Sequence, residues 1–156
     1  MTDSSPPPSS GDSHPGIHFD SSKLELKLSL KLRADQSAVD QVVRNVIEFV
    51  RNAGCAPGRE HDVELALAEA LANAVVHGAK SDPSKMVECD VACNNEGGIW
   101  IVVRDPGPGF DPSKIANPLE GENIYSHHGR GIFLINQLMD EVRFRKNGTE
   151  IHMIKK

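Results

Sequence analysis

The sequence predicts an α/β sandwich in which a single mixed, mostly antiparallel sheet is covered on one face by three helices. Three observations lead there. One stretch alternates strictly between leucine and polar residues, two stretches repeat apolar residues every three or four positions, and two pairs of β-type segments each close on an Asn/Gly turn. A chain of 156 residues, 38% hydrophobic and 25% charged, has room for one such core and not for a second catalytic domain.

Residues 1–18 are dense in Ser, Pro, Gly and Asp, with the run Pro6-Pro7-Pro8, and hold too little apolar surface to offset the entropy of ordering. They are expected to form a disordered tail, or a polyproline segment that meets a partner, ahead of a domain over 19–156. Leu24, Leu26, Leu28, Leu30 and Leu32 alternate with Glu25, Lys27, Ser29 and Lys31, the pattern of a half-buried strand. Asp35 can cap the helix that follows, where Val39, Val42, Val43, Val46, Ile47 and Val50 line one face until Gly54 and Pro57 stop it.

A second helix is expected over His61 to His77, ended by Gly78 and kept from continuing by Asp82-Pro83. Strands near 85–93 and 98–104 join through Asn94-Asn95-Glu96-Gly97 as a hairpin. Residues 105–128 lack periodicity and are rich in Gly, Pro, Asn and His, a stretch longer than a connector needs and of the kind that carries function. Gly131 to Met139 then reads as a third helix, and 141–146 and 149–155 as strands turning at Asn147-Gly148.

Composition removes several classes of function. A net charge of −5 argues against a general nucleic-acid binder. The opening residues lack a basic-then-apolar leader and no stretch approaches a bilayer span, so a cytoplasmic protein is expected. Cys55, Cys89 and Cys93 are odd in number, which suits a reducing compartment better than a disulfide framework. The even offset of Cys89 and Cys93 puts both on one strand face; buried small apolar residues are the expected reading, a metal or redox pair the alternative.

Three constellations carry chemistry. Between Ala66 and Val76 the second helix is apolar except for Glu69 and Asn73, four apart and so on one face, with His77 a turn further on. A buried carboxylate and amide need partners, which a cleft with a ligand or metal would supply; a solvent-facing stripe is the other reading. Asp105-Pro106-Gly107-Pro108-Gly109 follows an apolar strand. Its glycines bare the backbone for a flat ligand and Asp105 can accept from an exocyclic amine, although alternating Gly and Pro also serve as plain punctuation. Gly129-Arg130-Gly131 forms a Gly-rich loop running into a helix, whose free amides and dipole suit phosphate, or which merely packs.

In this fixed order the motifs resemble those of the Bergerat-fold ATPases, a family that includes gyrase, histidine kinases and mismatch-repair proteins. The likeness is strongest to the small bacterial anti-sigma factor serine kinases. Glu69-Ala-Leu-Ala-Asn73 through His77-Gly78 is similar to their N box, Asp105 to Gly109 to their first glycine box, Gly129 to Ile135 to their second, and Asn147-Gly148-Thr149 to their closing turn. The resemblance spans the chain from about Leu24 onward.

It implies that Asn73 coordinates Mg²⁺ bridging the phosphates of ATP, that Asp105 binds the adenine amine beside Gly107, Gly109 and Thr149, and that Gly129, Arg130 and Gly131 lie against the phosphates. Residues 111–128 would be the lid over the nucleotide. Glu69 would be the general base that takes the proton from a protein serine. His77 would have at most a minor part near the nucleotide, and His127 and His128 read as histidines of a loop.

The resemblance also implies partners. The serine acceptor would be a small anti-sigma factor antagonist, and the protein would sequester a sigma factor when that antagonist is unavailable, acting as a homodimer with no direct contact to nucleic acid or membrane. A module that binds ATP and controls a partner without phosphotransfer is the main rival. The catalytic half of a histidine kinase is the other, and it would need a phosphoacceptor helix pair upstream of Glu69.

Overall fold

The structure, a computed structural model, describes residues 24–109 and 127–156; the expected tail over 1–18 and most of the expected lid over 111–128 lie outside the described residues. The elements run in the order β1 (Leu24–Arg33), α1 (Gln36–Ala53), α2 (Glu60–Asn73), a π-helical turn (Ala74–Gly78), β2 (Met86–Asn94), β3 (Ile99–Arg104), α3 (His127–Leu138), β4 (Glu141–Arg145) and β5 (Glu150–Lys155). The sheet order is β1-β2-β3-β5-β4. Among the described residues every pairing is antiparallel, where a mixed sheet was expected. The three helices form one layer on it: α1 packs against β1 and β2, α2 against β3 and α3 against β4, with α2 between the other two.

Local chemistry explains the borders. The Asp35 carboxylate accepts from the Ala38 amide at 2.8 Å, the expected N-cap, and Gly54 ends α1 in a left-handed conformation at φ 71° that costs glycine little. The valine stripe of α1 is buried as its spacing predicts. On β1, an edge strand, the leucines bury progressively, from Leu26 at 43% exposed to Leu32 at 4%. The core lies between sheet and helices, with Leu67, Leu71, Ile99, Ile101, Ile135 and Met153 fully enclosed.

Two expectations need correction. The cysteines are not three free thiols: Cys55 and Cys93 form a disulfide, and only Cys89 is free. The turn after Gly54 folds the α1–α2 connection back onto the β2–β3 hairpin, where the Ala56 amide donates to the Gly97 carbonyl at 2.7 Å, and this sets the two cysteines beside each other. Burial pushes the Cys89 thiol up to about 12, so it is an inert core residue. Gly129, expected in a loop before a third helix that begins at Gly131, instead lies inside it, because α3 starts at His127.

Candidate functional site at the end of α2

The helical segment containing Glu69 and Asn73 does not end as an ordinary α-helix. After Asn73 it widens into the π-helical turn, where the Ala79 amide reaches back to the Ala74 carbonyl at 2.8 Å. The wider turn delivers Gly78 directly against Asp105. A β-carbon at Gly78 would overlap the Asp105 carboxyl, and one at Gly107 would overlap the Gly78 carbonyl, so glycine at both positions is a packing requirement. Gly109, at φ 83°, is pressed against the Asn147 carbonyl in the turn between β4 and β5. The Asp-Pro-Gly-Pro-Gly segment is thus wedged between the end of α2 and the closing turn.

Asp105 sits one step beyond β3, where its backbone amide donates to the Thr149 carbonyl at 2.9 Å. Its Oδ1 accepts from the Gly107 amide at 2.8 Å, which leaves the second carboxylate oxygen for a ligand. Burial pushes Asp105 above the usual carboxylate range, a shift only partly offset by the Gly107 hydrogen bond. The Thr149 hydroxyl donates to the Lys146 carbonyl at 2.7 Å and keeps its oxygen as an acceptor.

Glu69 and Asn73 are half-buried and point toward α3. A β-carbon placed on Gly131 would lie 2.9 Å from Glu69 Oε2 and 3.0 Å from Asn73 Nδ2, so the first turns of α3 come almost onto these two side chains. The polar pair is therefore roofed by a helix start and is not an open solvent stripe. Gly129 and Arg130 belong to those first turns; the Arg130 side chain lies outside the described residues.

These elements border an open cleft whose empty space, about 670 Å³, is partly continuous with solvent. Of the sequence-predicted residues, Asn73, His77, Asp105, Gly109 and Thr149 line it, while Gly131 closes on Glu69 and Asn73 and Gly107 on Asp105. Sequence reasoning did not anticipate the apolar walls from Val103, Ile132, Ile135, Phe144 and Ile151. Their spacing is that of core residues, and nothing in a periodicity separates a residue facing a cleft from one facing its neighbours. Among the described residues no group of three or more His, Cys, Asp or Glu gathers to hold a metal. A magnesium ion at Asn73 would accordingly draw on that amide oxygen plus phosphate and water, which is how this hard cation is usually held.

Comparison with known proteins gives the same picture. The family model described as "Histidine kinase-like ATPase domain" matches residues 32–155. "Serine-protein kinase RsbW" of Staphylococcus epidermidis is 31% identical over 137 residues, covering 82% of this chain and 85% of the relative. The protein of the same name from Staphylococcus aureus (strain MSSA476) is 36% identical over 135 residues with the same coverage. The crystal structure of the RsbU and RsbW domains of Rv1364c from Mycobacterium tuberculosis shares the fold, with a TM-score of 0.57 at 19% identity over 84% of this chain and 32% of that longer one. This chain belongs to the histidine kinase-like ATPase domain family.

Proposed function

We propose that this protein binds Mg·ATP in the cleft and transfers the γ-phosphoryl group to a serine of a small antagonist protein, and that it sequesters a sigma factor when that antagonist is unavailable. The observation that carries the reading is the convergence of Asn73, Asp105, Gly109 and Thr149 on one cleft, with Glu69 one helical turn before Asn73. Two relatives matched over most of their length are named serine-protein kinases, which supports phosphotransfer over ATP binding alone.

The residues divide the task by position. Asp105 accepts from the adenine amine through its unused oxygen, and Thr149 and Gly109 flank the base. Asn73 would hold a magnesium ion, which when bound would supply positive charge to offset that developing on the phosphates. Gly129, Arg130 and Gly131 lie beside the phosphates, where the α3 amides and dipole favour negative charge. Glu69 takes the serine proton as the serine oxygen bonds to the γ-phosphorus. The bond from that phosphorus to the β–γ bridging oxygen breaks, and ADP leaves with the electron pair.

The same reading makes the protein a homodimer that works in the cytoplasm, where ATP and a sigma factor are found. No helix among the described residues is long and apolar enough to cross a membrane. There the Cys55–Cys93 bond would face a reducing milieu, and thiol labelling tells whether the bond persists.

Titration with a fluorescent ATP analogue, with and without Mg²⁺, tests the site. Saturable Mg²⁺-dependent binding that Asn73→Ala weakens is expected, while Glu69→Gln should retain ATP and lose transfer of labelled phosphate to the antagonist. A Glu69→Gln protein that phosphorylates normally would show that another group is the base.

A further inference from the structure

The sheet face opposite the helices carries a polar network that the proposed chemistry does not use. Arg104, the last residue of β3, lies between two neighbouring strands. Its Nε donates to Glu150 Oε2 on β5 at 3.1 Å, its Nη1 donates to Asp90 Oδ2 on β2, and Glu88 Oε2 stands 4.0 Å from the same Nη1. Glu150 is 4% exposed. Its other oxygen pairs with His152 Nε2 at 3.0 Å, and the Trp100 indole N–H donates to His152 Nδ1 at 3.3 Å, which assigns the ring proton to Nε2. Lys146 Nζ adds an ion pair to Glu150 Oε2 at 3.1 Å.

The network adjoins the cleft through the backbone. Arg104 and Glu150 are register partners on β3 and β5, and the next residues outward, Asp105 and Thr149, are joined by the 2.9 Å bond from amide to carbonyl. Side chains alternate across a strand, so the ion pair grips this last rung from behind while Asp105 and Thr149 present to the cleft. For cohesion alone an apolar pair would serve as well, because desolvation consumes most of the Coulombic gain of a buried ion pair. What a forked guanidinium tied to carboxylates on two flanking strands adds is fixed geometry.

We propose that Arg104 and Glu150 are positioning residues for the base end of the nucleotide site, holding Asp105 and Thr149 at the spacing that selects adenine. The proposal rests on the reading that Asp105 meets the base. An exocyclic amine donates to the Asp105 carboxylate, whereas the guanine carbonyl at the equivalent place repels it. Loosening the rung therefore relaxes discrimination between the two purines before it affects the phosphate end.

The test measures dissociation constants for ATP, GTP and inorganic tripolyphosphate with Mg²⁺ in the full chain. Arg104→Met and Glu150→Gln are each expected to weaken ATP about tenfold while GTP and tripolyphosphate change by less than about twofold, so the ATP/GTP preference falls. Arg104→Lys, which keeps the charge and not the fork, should restore part of that preference. Should Arg104→Met fold poorly because Glu150 is left unpaired, the double variant Arg104→Met, Glu150→Met removes the stranded charge and should show the same ATP loss.

Unchanged ATP affinity in any folded variant that lacks the ion pair would overturn the proposal. So would parallel weakening of ATP and tripolyphosphate together with a lowered melting temperature, the signature of a merely structural role. If Asp105→Asn binds ATP like wild type, the reading of the base site fails, and the proposal with it.

Discussion

Gly131→Ala separates stability from function at the point where α3 meets α2. Gly131 lies inside α3, where replacing glycine by alanine favours the helix by about 1 kcal/mol. Against this, the new methyl carbon would stand 2.9 Å from Glu69 Oε2 and 3.0 Å from Asn73 Nδ2, tighter than such contacts normally run. Both opposing atoms end side chains, so they can retreat, Glu69 easily and the shorter Asn73 by a few tenths of an ångström. The net effect on folding is expected to lie between zero and a gain of about 1 kcal/mol, seen as a melting temperature unchanged or raised by up to about 4 °C.

Function should respond the other way. Displacing the proposed base and the proposed metal ligand by a fraction of an ångström can cost about a hundredfold in a step that depends on alignment, so phosphotransfer should fall by one to two orders of magnitude and Mg²⁺-dependent ATP binding should weaken with it. Differential scanning fluorimetry and nucleotide titration on one preparation give both numbers. A variant that melts like wild type and keeps full Mg·ATP affinity and transfer would refute the reasoning, because the close approach of α3 to Glu69 and Asn73 would then have no part in the site.

Three further outcomes are expected. Gly109→Ala forces a left-handed φ of 83° on alanine and sets its methyl into the Asn147 carbonyl, so it should destabilise by more than about 1 kcal/mol, read as a lower urea midpoint. His152 is held below its ordinary value of 6.5 chiefly by burial, so the unfolded chain takes a proton that the folded chain resists; the stability present above pH 6.5 is lost as pH falls, and His152→Gln should flatten that slope in urea titrations below pH 6.5. Alkylation followed by mass spectrometry should label no cysteine in the native protein, Cys89 alone after unreduced denaturation, and all three after reduction. Three labels without reductant would show the Cys55–Cys93 bond absent, and the reducing-compartment expectation correct.

What the sequence made legible was whatever local chemistry decides. The leucine alternation of β1, the valine stripe of α1 with its Asp35 and Gly54 ends, and the two hairpins depend on side-chain period and turn preference, and all appear in the fold. The antiparallel direction of every pairing depends on where β5 inserts, between β3 and β4, which no local pattern encodes. Glu69 and Asn73 stand out because they interrupt an apolar run, and Asp105 because it opens an alternating Pro/Gly segment directly after an apolar strand. The Cys55–Cys93 pairing was hidden because it joins segments 38 residues apart that meet only once the chain folds. The early start of α3 was hidden because Gly129 and Gly131 argue against helix by propensity, while packing against α2 overrides it.

The π-helical turn gives the end of α2 one residue of slack without redirecting the chain. A π-turn accommodates about one residue more per turn than an α-helix. Removing one residue from Ala74 to His77 would let the segment relax to ordinary α geometry, where four steps of about 100° carry the chain to nearly the direction that the π-turn gives it, so Gly78 would still meet Asp105. Substitution or deletion of Val76, half exposed there, should therefore be tolerated, while a side chain in place of Gly78 should not. In this part of the molecule the bare backbone at Gly78 is constrained more tightly than the number of residues that lead to it.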